Sequence, residues 1–329
     1  MKITIEETAV AHCVICGYWA HYAFSGRDVL KNDYKRYDYL LCGNCGTYFL
    51  HPMPDALAVA SFYPEEYVET DVPYSRKKRN SLLRVAELKL HHQYSHLKPS
   101  IFCMAAVRLL SAFYRKWAIN YVSNGALLDI GCGNGRFLKS MRELGWQVQG
   151  VEFNKKSVEQ CRNDFLTVHH GDLSSAEFAQ ASFDVITLRH VIEHIPTPNE
   201  LMAELARILK PGGRLIIETP NFASVGWSWF STKWYAAGIP YHLMLFSPKS
   251  LQLLAEKHGF VQEDYFLETT PKFFLNSVDI IMENKGVPSK KIRWRRLLAR
   301  FYVWYAQKTG RGDVIHSTFV RPRTKPLAR

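Results

Sequence analysis

No run of eighteen consecutive apolar residues occurs in this 329-residue chain, so no bilayer-spanning helix is legible in it. The opening Met1-Lys2-Ile3-Thr4-Ile5-Glu6-Glu7 also lacks the apolar core of a secretory signal. Together these absences lead to the expectation of a cytoplasmic location. Cysteine is sparse, seven residues in all, an odd number that internal disulfides cannot absorb. Acidic residues are in deficit, 30 against 42 Lys and Arg, for a net charge of +12. The deficit is local. Residues 1–71 carry 5 basic against 10 acidic side chains, and residues 121–285 carry 15 against 18. Residues 72–120, by contrast, carry 10 against 1, and residues 286–329 carry 12 against 1. Two basic segments thus alternate with two mildly acidic modules, a distribution suited to nucleic acid, anionic lipid or a phosphorylated substrate. The 47% hydrophobic content leaves room for an ordinary globular core.

Four of the seven cysteines stand in two near-identical knuckles, Cys13-Val14-Ile15-Cys16-Gly17 and Cys42-Gly43-Asn44-Cys45-Gly46. Each C-x-x-C turn lets two thiolates point at one ion, and the following glycine tolerates the tight backbone. Four thiolates give a closed tetrahedral zinc site with no open position for chemistry, and a redox dithiol would not need two matching knuckles. The segment resembles a zinc ribbon, with a short hairpin expected around Tyr34 to Tyr39 to fill the long spacing.

Beyond it come Pro52-Met53-Pro54, a helix-like stretch ending in Phe62-Tyr63-Pro64, and the basic run Arg76-Lys77-Lys78-Arg79. Helices are expected from Ser81 to Leu97 and from Ile101 to Trp117. From Ala126 the pattern becomes regular. Apolar strands are expected at 126–130, 147–153, 167–170, 183–188 and 214–218, separated by helices at 136–144, 156–165, 176–180 and 200–209. Strands alternating with helices imply an α/β fold with a doubly wound, mostly parallel, Rossmann-like sheet and right-handed crossovers. Ligands in such sheets bind at the carboxyl ends of the strands.

Asp129-Ile130-Gly131-Cys132-Gly133-Asn134-Gly135 leaves the first of these strands and opens a helix. The glycines let backbone pass close to a ligand. The spacing is G-x-G-x-G, a departure from the dinucleotide G-x-G-x-x-G that weakens a pyrophosphate reading. Glu152 ends the next strand, where a carboxylate can accept both hydroxyls of a ribose. Asp172 follows the third, in His170-Gly171-Asp172-Leu173.

At this point the chain resembles class I S-adenosylmethionine (SAM)-dependent methyltransferases over roughly residues 121–270. The matching pieces are LLDIGCGNG, GVEFN, HHGDL, FDVITLRHVIEHIPTP and LKPGGRLIIETPN. The resemblance implies that Asp129 and Gly131, within the loop of Gly133 and Gly135, hold the methionine part of SAM. It likewise gives Glu152 the ribose, and Asp172 with Leu173 the adenine. The leading cysteine pairs narrow the likeness to bacterial zinc-ribbon methyltransferases acting on sugars and related small molecules. The implied organisation is a zinc-ribbon module at 1–71, with Cys13, Cys16, Cys42 and Cys45 on a structural zinc. A basic helical linker at 72–120 and a SAM-dependent methyltransferase domain at 121–329 follow, the latter with a basic amphipathic helical insertion at 271–312.

For the reacting face, the Asn/Asp-Pro-Pro-aromatic signature of base N-methylation is absent. The fourth strand runs instead into His190-Val191-Ile192-Glu193-His194-Ile195-Pro196. Histidine is a natural base near neutral pH; Glu193 and His194 can equally cap and orient the loop, and His190 can merely line the pocket. After Pro220-Asn221 comes an aromatic insertion with Phe222, Trp227, Trp229, Phe230, Trp234 and Tyr235, leading to Pro240-Tyr241-His242-Leu243 and Phe246-Ser247-Pro248. By resemblance to the sugar methyltransferases, His242 faces the acceptor and is the first choice of base.

The basic segment from Ser289 to Lys308 places Ile292, Trp294, Leu297, Leu298, Phe301, Tyr302 and Tyr305 at helical spacing among lysines and arginines. Such a helix suits an anionic bilayer interface, at the inner face of a membrane, or packs on the protein's own body or a partner chain. Residues 313–321 alternate as a last strand expected to pair with 261–267. The leading expectation is methyl transfer to a hydroxyl or carbon of a sugar, sugar nucleotide or lipid-linked saccharide. A quinone-precursor O-methyltransferase is the alternative. RNA binding or RNA methylation stands third, disfavoured because the ribbon module is net acidic and the basic residues accompany interfacial aromatics.

Overall fold

The computed structural model describes residues 9–28, 35–55, 58–59, 62, 82–109, 118–283 and 294–323. Its strands, in chain order, are β1 (Ala9–His12), β2 (Trp19–Arg27), β3 (Arg36–Cys42), β4 (Tyr48–His51), β5 (Ala126–Ile130) and β6 (Gln147–Glu152). They continue with β7 (Thr167–His170), β8 (Phe183–Arg189), β9 (Leu209–Pro220), β10 (Met244–Leu245), β11 (Val261–Glu268) and β12 (Val314–Val320). They form a five-stranded sheet and a seven-stranded, mostly parallel one, the α/β architecture that the alternation of strands and helices implies. Two compact units divide the chain, one from 67–171 and one from 1–66 with 172–329.

Within the 67–171 unit, β5, β6 and β7 lie side by side and parallel. Leu127 and Leu128 are fully buried, as expected of a parallel strand covered on both faces. The crossover helices are Arg136–Glu143 and Lys155–Asn163. The second starts where the Asn154 side chain accepts the Ser157 amide at 3.0 Å, satisfying a donor that the first turn leaves open. The helix Leu82–His91 precedes Tyr94, whose buried hydroxyl accepts Trp146 Nε1–H at 3.0 Å.

In the other unit, β8 and β9 are parallel, connected through the helix Pro198–Ile208. The β9 strand pairs antiparallel with β12, and β12 with β11. The final hairpin expected from the alternation at 313–321 is therefore present, and two helices, Pro271–Glu283 and Arg295–Lys308, fill its connection. The latter packs through Ala299, Tyr302 and Ala306 against Phe274 and Val225. Tyr302, grouped in the sequence pattern with the exposed aromatics, thus faces inward, because a neighbouring helix offers it an apolar surface and Asp313 accepts its hydroxyl. The ribbon sheet runs β1-β2-β3-β4-β10; its last strand comes from beside His242, with Met244 opposite Phe49 and Leu245 opposite Tyr48.

Several expected elements differ in extent. The strand expected at 214–218 begins at Leu209 and ends at Pro220, and the helix expected at 176–180 is a 3-10 turn at Ser174–Ala176. The ribbon hairpin is longer than Tyr34 to Tyr39: seven residues of β2, from Ala20 to Arg27 with a shift of register after Tyr22, pair with the seven of β3. The expected helix at 101–117 is seen as Ile101–Leu109; its remainder lies outside the described residues. So do Arg76–Arg79, Tyr63-Pro64 and Lys290–Arg293.

Candidate active site and metal centre

The two knuckles bring four sulfurs together. Cys13 Sγ lies 3.6 Å from Cys45 Sγ and Cys16 Sγ 3.5 Å from Cys42 Sγ, and all four fall within 4.8 Å of one another. A tetrahedral zinc with Zn–S bonds of about 2.3 Å separates its sulfurs by about 3.8 Å, so the set fits that ion. None of the four is in a disulfide. Backbone amides aim at the sulfurs, Ile15 N at Cys13 and Asn44 N at Cys42, each at 3.4 Å. Gly17 and Gly46 close the knuckles at φ 73° and 74°, the left-handed conformation that favours glycine.

The glycine loop after β5 is built as a close-approach cradle. Gly131, Gly133 and Gly135 all have positive φ, at 65°, 52° and 72°. A Cβ on Gly135 would lie 2.4 Å from Leu166 Cδ1 and 2.8 Å from Cys161 Sγ, so a larger residue would have to displace both side chains at a φ that favours glycine. Asp129 is buried at the end of β5. The Glu152 carboxylate accepts the Gly133 amide at 2.8 Å and the Asn154 amide at 2.7 Å, tying the end of β6 to the loop. In the other unit, Asp172 Oδ1 accepts the Ser175 amide at 2.7 Å and the Ser174 hydroxyl at 2.8 Å. The Ser175 amide first, and the Ser174 hydroxyl with it, hold its carboxyl below the ordinary carboxylate range. Leu173 beside it is buried.

The four residues singled out for proton transfer gather around the end of β8. His190 adopts φ 55°, an uncommon conformation for a non-glycine residue, with its amide held by the Glu218 carbonyl at 2.8 Å. Its Nδ1 stands 3.3 Å from Glu193 Oε1, with 40% of the His190 side chain exposed against 1% for Glu193. Thr219 Oγ1–H donates to the other Glu193 oxygen at 2.9 Å. Burial works to raise the Glu193 carboxyl, but the His190 hydrogen bond and the nearby imidazoles outweigh it and bring it down to about 2. His194 Nδ1 meets the Tyr241 carbonyl at 2.9 Å, and its ring lies 4.8 Å from that of His242. Burial drives the His242 imidazole down to about 3, with the His194 charge acting in the same direction. Glu193, His194 and His242 each offer a ligand atom within 4.8 Å of the others.

Sequence reasoning missed the residues that hold this cluster. Thr219 binds Glu193, Tyr39 donates to the His242 carbonyl at 2.7 Å, and Tyr241 donates to Asp28 at 3.0 Å. Gly238 sits at φ 57°, and a Cβ there would come within 2.4 Å of His242 Nδ1. The tight Ala-Ala-Gly-Ile-Pro run at 236–240 was a legible turn signal; nothing local marked Tyr39 or Thr219.

Against known families, residues 103–264 match the model described as a methyltransferase domain. These residues are a methyltransferase domain. Its class I type, with SAM as cofactor, is the one that the loop at Asp129–Gly135 resembles. Among curated proteins, this domain is 31% identical over 116 residues to the ubiquinone biosynthesis O-methyltransferase of Nitrosococcus oceani, covering 31% of this chain and 49% of that protein. It is 33% identical over 108 residues to the protein of the same name in Idiomarina loihiensis, covering 31% and 44%. The chain thus spans about half the length of the curated relatives it matches. A solved SAM-dependent methyltransferase from Archaeoglobus fulgidus is 19% identical at a TM-score of 0.43, over 71% of this chain and 97% of that one.

The relatives overturn the expectation of a sugar, sugar-nucleotide or lipid-linked saccharide acceptor, since the curated matches carry the quinone-pathway O-methyltransferase name. The aromatic insertion that accompanied the sugar reading has another use. Trp227 packs on Phe24 at 5.1 Å and on Phe222 at 5.0 Å, and buried Trp234 packs on Phe222 at 5.3 Å. Those rings pack on one another and on the ribbon strand β2.

Proposed function

We propose that this protein transfers a methyl group from SAM to a hydroxyl oxygen of a phenolic quinone precursor. The observation that carries the chemistry is the pair formed by His190 and Glu193: a half-exposed imidazole whose inner nitrogen meets a buried carboxylate. In this reading Glu193 accepts the Nδ1–H of His190, which leaves Nε2 as the proton acceptor, the orienting logic of a His–carboxylate couple. The acceptor oxygen attacks the methyl carbon in line, the carbon–sulfur bond breaks, and the hydroxyl proton passes to His190. SAM supplies the electrophilic methyl group. A phenol, with a pKa of about 10, surrenders its proton to an imidazole far more readily than an aliphatic alcohol does. Between the two candidate bases we favour His190, whose half-exposed ring pairs with Glu193, over His242, whose ring lies 4.8 Å from that of His194.

The partial match to the quinone-pathway enzymes supports the acceptor class. The glycine loop, Asp129 and Glu152 are the proposed holders of the methionine and ribose parts, and Asp172 with Leu173 of the adenine. The four cysteines are proposed to bind one structural zinc, on the strength of their mutual spacing. The test is transfer of labelled methyl from SAM to a catechol quinone precursor, with the product identified as the methyl ether. If SAM binds but no catechol or phenol is methylated at substrate saturation, the acceptor assignment is wrong.

A further inference from the structure

The helix Arg295–Lys308 has one face committed and another left open. At about 100° per residue, Ala299, Tyr302 and Ala306 share the buried side. On the far side Trp294, Leu297, Leu298, Phe301 and Trp304 are exposed at 68%, 56%, 48%, 51% and 52%. The same rotation puts these five in an arc of about 120°, with exposed Arg296 and Arg300 along one flank. The patch extends beyond the helix: Trp229, 46% exposed, stacks on Tyr305, which stacks on Phe301, next to Trp304. Large contiguous apolar surface on a folded protein marks an interaction site.

We infer that this face docks the protein on an anionic lipid bilayer. Charge complementarity selects that occupant. The helix has no acidic residue, and Arg295 already pairs with Asp279 at 2.8 Å, leaving Arg296, Arg300 and Lys308 exposed around the apolar arc. Tryptophan and phenylalanine bounded by arginines settle at the headgroup boundary, where the rings enter the acyl edge and the guanidinium groups meet lipid phosphate. A second copy of this chain would bring an equally basic helix face, also without an acidic residue, against this one. For nucleic acid, Leu297 and Leu298 would gain nothing. Among the described residues no helix is long and apolar enough to cross a membrane, so the face lies on the surface. The inference goes beyond the proposed reaction, and vesicle binding is measured without any methyl acceptor.

The test is co-flotation of the full chain with vesicles of phosphatidylcholine alone and of phosphatidylcholine with phosphatidylglycerol, at physiological ionic strength. The expected result is binding to the anionic vesicles only, with Trp fluorescence shifted to the blue and quenched by brominated acyl chains. Leu297→Glu combined with Phe301→Glu is expected to lower partitioning at least tenfold. Arg296→Gln with Arg300→Gln is expected to lower it by roughly fivefold per arginine, the usual weight of a basic residue at an anionic surface. Both pairs are exposed, and unchanged circular dichroism and SAM affinity check that the variants fold. Absence of binding to anionic vesicles overturns the inference. So does binding that survives the Leu297/Phe301 variant, a dimer that the same variant dissolves without any vesicle binding, or retention on RNA in place of lipid.

Discussion

The hydroxyl of Tyr39 donates a 2.7 Å hydrogen bond to the carbonyl oxygen of His242, across 203 positions of sequence. One end of this bond lies in the cysteine ribbon and the other in the turn beside the proposed reacting face. Next to it, the Leu50 amide donates to the Leu243 carbonyl, and the Leu243 amide donates to the Glu193 carbonyl. The ribbon therefore braces the loop that carries the histidines. Replacing Tyr39 with Phe leaves the ring in its buried place and removes one donor. Stability is expected to fall by about 1–2 kcal/mol, read as a lower urea midpoint at unchanged slope; an unchanged midpoint would show that the bond contributes nothing net.

Metal analysis of the purified protein is expected to return one zinc per chain. Cys45→Ala removes one of four ligands, and with it the closed site that organises both knuckles. Zinc content is expected to drop severalfold, with a lower melting temperature, because β4 and β10 lose their anchorage. Full zinc occupancy in that variant would disprove the assignment.

Acid should destabilise the protein through His242. Its folded pKa, about 3, lies below the unfolded value of about 6.5, so the unfolded chain binds the extra proton between those limits. Stability is then present above about pH 6.5 and is lost as pH falls toward 3, on the order of 1 kcal/mol per pH unit. The sign reverses at His316. Burial there opposes the charge, but the carboxylates of Glu218 and Glu268, 3.3 and 3.1 Å from its two ring nitrogens, prevail and raise it to about 9; this contribution is complete below pH 6.5 and fades as pH climbs through 9. Denaturant midpoints from pH 4 to 10 should trace a dome. His242→Gln should flatten its acid side alone.

Glu193→Gln keeps size and hydrogen bonding but removes the charge facing His190. The turnover number is expected to fall about 100-fold, within the usual range for disabling general base assistance, with SAM affinity changed less than twofold. His190→Ala should lose as much, and the double variant little more than either, as expected of residues acting as a unit. Additive losses would mean that the two act separately.

Gly135→Ala should be costly for two reasons at once: a left-handed φ of 72° and a Cβ pressed into Leu166 and Cys161. A stability loss of about 1–3 kcal/mol is expected from the conformation alone, together with weakened SAM binding by calorimetry. Wild-type affinity and stability in this variant would remove the loop from the cofactor site.

Much of the molecule was legible because its signals are local. The alternation from Ala126 onward, the glycine spacing at 131–135 and the paired C-x-x-C turns depend only on neighbours a few residues apart, where strand period and turn chemistry act. The Gly-rich loop and the cysteine cluster accordingly appear where the sequence places them. Element ends were less legible: β9 extends back to Leu209 because pairing with its neighbours, rather than its own composition, sets where a strand stops.

By itself, then, the sequence determined the class of fold, the methyltransferase loop and the four-cysteine set. Only the tertiary structure decided that the half-exposed His190 meets the buried carboxylate of Glu193 while the His242 ring lies against His194. It likewise decided that the ribbon sheet takes β10 as its fifth strand, and that Tyr302 turns inward while Phe301 and Trp304 stay out. The reason is the same in each case. Burial and proton affinity depend on what distant segments bring alongside a residue, and a periodic pattern shows only that two faces exist, not what covers each of them.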